Sequence, residues 1–154
     1  MFSAVKIYYK RQTMYNYPHY KEQDKENILA FMRQHPFVML IATDKNGRIE
    51  ATQIPVLIDE REGKIFLTGH IARKMSHEKA LEENPNALII FTGAHTYVSG
   101  AWYTGNLQQA STWNYMSVHA KGIIRFLDDE ALIDVLRMTT LHFENYNKQS
   151  ATIY

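Results

Sequence analysis

Apolar positions along this chain fall into two rhythms. In "DKENILAFMRQHP" (24–36), Ile28, Leu29 and Met32 recur at helical spacing. Asp24 is placed to cap the first turn and Pro36 to end the helix. "FVMLIAT" (37–43) is instead an unbroken apolar run of strand length, which predicts a strand covered on both faces. "DKNG" then supplies an Asn46-Gly47 turn signal, so "RIEATQIPVLID" (48–59) should return antiparallel. Pro55 has no N–H to give a ladder and predicts an edge, a bulge or a break there.

The same punctuation continues downstream. "DEREG" reads as a turn, "KIFLTG" (64–69) as a strand, and "RKMSHEKALEEN" (73–84) as a helix closed by Asn84-Pro85. "NALIIFTG" and "HTYVSGAWY" read as two further strands. "TGNLQQAS" has loop composition, and "TWNYMSVHAKGIIRFL" is a long strand in which Gly122 marks a bulge. Asp128 is positioned to cap the last helix, whose Leu132, Leu136 and Phe143 share a face. Strand pairs joined by short turns favour a mainly β fold with flanking helices, an antiparallel sheet rather than βαβ winding. A sheet of six strands tends to close into a small barrel and thereby lose its edges.

Length adds one constraint: 154 residues suit a single domain. The conventional pattern begins near Met14, which predicts one domain over 14–154 and an N-terminal extension, a flexible arm, over 1–13. Seventeen basic residues against sixteen acidic ones leave no electrostatic footprint for non-specific nucleic-acid binding. Absence of cysteine removes disulfides, thiol catalysis and thiolate metal sites, and fits a cytoplasmic setting. No apolar run approaches the roughly 20 residues that span a bilayer.

Two stretches concentrate chemistry. "TGHIARKM" (68–75) puts Thr68, His70, Arg73 and Lys74 where a strand is expected to hand over to a helix. A phosphate there would meet unpaired N–H groups, the Arg73 fork and the Lys74 charge. The bland alternative pairs both cations with Glu78, Glu82 or Glu83. In "STWNYMSVHAKG", strand alternation sets Trp113 and Tyr115 on one face and Asn114 on the other. That face is either a wall for a planar ligand or part of a core or subunit interface. Tyr97, Trp102 and Tyr103 allow the same two readings. The histidines show no metal-ligand spacing, and no G-x-S-x-G elbow supports a Ser nucleophile.

Several segments are similar to one known family. "MYNYPHY", "GRIEATQIPVLID", "GHIAR", "YVSGAWY" and above all "TWNYMSVHAKG" resemble the PaiB-type FMN-binding regulators, a branch of the pyridoxamine-phosphate-oxidase-like split barrels. The resemblance runs from Met14 to about Phe143. It implies an antiparallel FMN-binding split β-barrel that forms a homodimer, with flavin at the subunit interface. Phosphate contacts carry over to Arg73, Lys74 and Thr68, with His70 in the same segment. The "ATQI" strand, with Thr52 and Gln53, would run beside the isoalloxazine. Trp113, Asn114 and Tyr115 would help to enclose it.

The implied role is negative transcriptional regulation or flavin-dependent redox chemistry, although no helix-turn-helix or basic stripe marks a DNA surface. A flavin oxidoreductase, a haem-binding barrel and a cofactor-free module are the alternatives. In a flavin enzyme the cofactor carries the chemistry, so a conspicuous nucleophile is not required. The chain departs from the family pattern at Gln53, usually His, and at Ser111, usually Pro. It also lacks the expected C-terminal extension after Tyr154.

Overall fold

The computed structural model describes residues 2–9 (backbone only), 17–104 and 108–144. Six strands close into a barrel: β1 (Phe2–Tyr9), β2 (Phe37–Thr43), β3 (Ile49–Arg61), β4 (Lys64–Ala72), β5 (Asn86–Val98) and β6 (Thr112–Phe126). Their order around the wall is β1-β4-β3-β2-β5-β6, with every neighbouring pair antiparallel. Three helices flank it: α1 (Lys25–Gln34), α2 (Ser76–Glu83) and α3 (Asp129–Glu144). Among the described residues no helix is long and apolar enough to cross a membrane.

Local sequence accounts for the ends of these elements. Asp24 accepts from the Glu26 N–H at the start of α1, and Asp128 accepts from the Ala131 N–H at the start of α3. In the β2–β3 hairpin the Asp44 carboxylate receives the N–H groups of Asn46 and Arg48, each at 2.8 Å, while Gly47 takes φ +82°. Val38, Leu40, Ile54, Val56, Leu67, Ile71, Ile89, Phe91, Ala120 and Ile124 fill the barrel, joined by Leu29 and Met32 of α1 and Ala80 and Leu81 of α2.

Within the stretch read as an N-terminal extension, the backbone of 2–9 pairs with both β4 and β6 and closes the barrel. Pro55 sits within β3 where one ladder hands over to the next: it is the last residue paired with β2, opposite Phe37, and pairing with β4 begins at Val56, which also donates to the Pro36 carbonyl at 2.9 Å. The bulge lies not at Gly122 but in β5, between Thr92 and His95.

"NALIIFTG" and "HTYV" are therefore one bent strand rather than two. A Cβ on Gly93 would come within 2.6 Å of the Phe31 ring, so the bulge is where α1 presses on β5. The strand count of six still holds, through β1 gained and two strands merged.

Candidate functional site

β4 carries the first group of candidate residues, and it runs three residues further than its sequence suggests. Leu67, Gly69 and Ile71 are buried toward the core, so Thr68 and His70 lie on the outer face. Gly69, His70, Ile71 and Ala72 pair with Val5, Ala4, Ser3 and Phe2 of β1. That partner, invisible to a local reading, holds "GHIA" as strand. Arg73 and Lys74 consequently precede the helix instead of opening it: α2 starts at Ser76, after a turn in which Lys74 takes φ +64°.

The donors in this turn are already held by carboxylates. Met75, the residue before α2, offers no side-chain cap. Glu78, in the first turn of α2, reaches back to accept the Lys74 backbone N–H. The Arg73 guanidinium pairs with Asp129 at the start of α3. Hydrogen bonding and charge from Arg73 hold the Asp129 carboxyl below its usual range, and Asp129 in return raises Arg73. His70 is half-buried on the face of β4 against which α3 packs, and desolvation lowers its pKa.

Thr52 and Gln53 lie on β3, the neighbour of β4, opposite Leu40 and Met39 of β2. Alternation turns the half-buried Thr52 toward the interior and the exposed Gln53 outward, so one of the two lines the outer surface. Trp113 and Tyr115 share the outer face of β6, and Asn114 takes the other face.

The β5 bulge adds to that aromatic surface. Thr92 faces Ser117 while His95 faces Tyr115, so β5 spends one residue more than β6 over this step. Alternation is thereby inverted, and His95 and Tyr97 join Tyr115 and Trp113 outside. The Trp113 ring lies 5.4 Å from His95 and 6.1 Å from Tyr97, centroid to centroid. Trp113 is 57% exposed and Tyr115 65%. These rings are not core in the single chain.

One chain therefore gathers Thr68, His70, Arg73 and Lys74 on β4 and its turn, beside the strand bearing Thr52 and Gln53. It does not add Trp113, Asn114 and Tyr115, which lie on the β5–β6 ladder with β2 between β5 and β3. What connects the two sectors is an apolar outer surface. Gln53, Met39, Ile90 and His119 stand opposite one another across β3, β2, β5 and β6, and Ala51, Ile41, Leu88 and Lys121 form the next row. A groove of about 420 Å³ opens on this surface beside Ile41, Leu88, Lys121 and Ile123. Met39, Ile41, Leu88 and Ile90 are absent from the sequence candidates. Their signal was available, because "FVMLIAT" and "ALIIF" are continuous apolar runs that call for cover on both faces.

Comparison with known proteins follows this architecture closely. Residues 14–153 match the model of a family described as "Putative FMN-binding domain". The chain is 29% identical over 135 residues to Protease synthase and sporulation protein PAI 2 of Bacillus subtilis (strain 168), covering 88% of this chain and 62% of that protein. It is 31% identical over 96 residues to Uncharacterized protein YKL070W of Saccharomyces cerevisiae, covering 58% of this chain and 57% of the other. The chain thus spans about three-fifths of the length of these curated relatives. Among solved structures, the heme storage protein HutZ from Vibrio cholerae superposes with a TM-score of 0.50 at 17% identity, over 79% of this chain and 77% of that one. At that identity the likeness is one of fold: the split barrel.

Proposed function

Since this chain belongs to the family described as "Putative FMN-binding domain", we propose that it is a cytoplasmic flavoprotein that binds FMN as a homodimer, with each flavin site built from both subunits. The observation that carries this reading is the separation just described. Anion donors and exposed aromatics occupy different sectors of one barrel, and the half-buried apolar side chains of Met39, Ile41, Leu88 and Ile90 lie on the outer surface between them. A two-fold dimer covers such a face once on each subunit, and lets the aromatics of one copy complete the site of the other.

The residues present suit the cofactor. Arg73 offers a bidentate fork, and the adjoining turn offers the Lys74 N–H and ammonium. Arg73 and the Lys74 N–H already donate to carboxylates, so both are aimed where an anionic oxygen can receive them. Thr68, His70 and Gln53 line the outer faces of the two adjoining strands, and Trp113 or Tyr115 of the second copy gives a flat apolar surface to the ring. Bound FMN would supply redox chemistry. The protein's part is to place the phosphate, exclude water from the ring and tune it through neighbouring hydrogen bonds. A regulatory role exercised through DNA has no support in charge, since basic and acidic residues nearly balance.

Titration of FMN and riboflavin into the protein and into R73A/K74A tests the reading. A phosphate contact predicts roughly a hundredfold or greater loss of FMN affinity in the variant, with riboflavin almost unchanged. Equal FMN affinity in both proteins would remove Arg73 and Lys74 from the site.

A further inference from the structure

Arg73 and the Lys74 N–H meet carboxylates from two different helices. Asp129 leans in from the first residue of α3, and Glu78 folds back from the first turn of α2. The two acids are not equivalent. Glu78 takes the backbone N–H of Lys74, just ahead of its own helix, and so ties down the turn that leads into α2. Asp129 does no such work, because the cap of α3 is Asp128, which accepts the Ala131 N–H at 2.9 Å. The Asp129 side chain is 68% exposed, whereas that of Arg73 is 21% exposed. A surface acid is thus paired with a guanidinium largely shielded from solvent.

We propose that Asp129 is an internal competitor for the anion at Arg73, setting how tightly the site holds a phosphate-bearing ligand. The inference rests on the reading of Arg73 as a phosphate ligand. To seat a phosphate, Arg73 must give up Asp129, and the displaced carboxylate remains close by as a like charge. Glu130 sits next along α3 and is not paired with Arg73. It provides an internal control for bulk charge. Exposed ion pairs are individually weak, and their influence fades as salt screens them. The competition therefore trims affinity by a modest factor that ionic strength can tune.

The experiment compares the full chain with D129N, E130Q and R73A/D129N, using FMN, riboflavin and inorganic phosphate as separate probes at low and high salt. D129N is expected to bind FMN about five- to tenfold more tightly at low salt and riboflavin with unchanged affinity. The gain should shrink at high salt and vanish in R73A/D129N, while E130Q stays within about twofold of the parent. Unchanged or weaker FMN binding by D129N overturns the competition, as does an equal gain in E130Q. Should the parent not bind FMN at all, the cofactor reading fails separately. The competition is then decided by inorganic phosphate, read from the Arg73 side-chain NMR signal. Tighter phosphate binding in D129N upholds it, and equal or absent binding in both proteins overturns it.

Discussion

Gly69 shows how one side chain, or its absence, positions the site. It lies between Thr68 and His70, and a Cβ built on it would stand 2.8 Å from the carbonyl oxygen of Pro55. The obstacle is backbone of the neighbouring strand, which cannot swing aside as a flexible side chain would. Gly69→Ala should therefore cost about 1–3 kcal/mol, with β3 pushed away from β4. Chemical denaturation of the two proteins measures it, and an unchanged midpoint would show that the strands part freely. At this scale the sequence was legible wherever the interaction was local. Asp24, Asp128 and the Asn46-Gly47 turn act within a few residues of themselves, and all three behave as their positions suggest. Arg73 and Lys74 were misplaced onto a helix start because what keeps "GHIA" extended is a strand more than sixty positions away.

Among the elements, β1 and β5 diverge most from their sequence reading, for opposite reasons. "FSAVKIYY" is rich in strand formers (Phe2, Val5, Ile7, Tyr8 and Tyr9) but precedes the region of family resemblance, which drew the reading away from it; its backbone bridges β4 and β6. Deleting residues 1–13 should leave two unpaired edges and an open barrel core. The shortened protein is expected to melt at lower temperature and to aggregate, as seen by calorimetry with light scattering. A truncated form that melts like the parent and stays dispersed would make β1 an ornament. In β5, the turn-like "TG" reads as an end but marks a bulge, because Gly93 yields space to Phe31 of α1. Local composition announces that the backbone does something unusual there. It does not say whether the chain stops or bends.

For the whole molecule, exposed apolar surface is the feature that most needs an explanation. Trp113 and Tyr115 are exposed in one copy, so replacing them in a monomer would change stability by only about 0.5 kcal/mol. If they belong to a dimer interface, W113D/Y115D should convert a dimer to a monomer in light scattering at micromolar concentration. Parent protein that is itself monomeric would sink the shared-site proposal. Fold class was visible in the pattern of strands, and the aromatic and basic candidate groups in "TWNYMSVHAKG" and "TGHIARKM". How far apart the barrel holds those two groups was not, since strand order around a closed wall depends on pairings between distant segments. Closure by β1 also has a consequence for biosynthesis. Its ladder partners include β6, with Val5 opposite Phe126, so β1 leaves the ribosome long before that partner exists. At roughly 5–20 residues per second, the wait is on the order of ten seconds. Until then the five earlier strands can join only as an open sheet whose two edges, β1 and β5, are both raw, and the nascent chain depends on whatever shelters those edges until the last strand arrives.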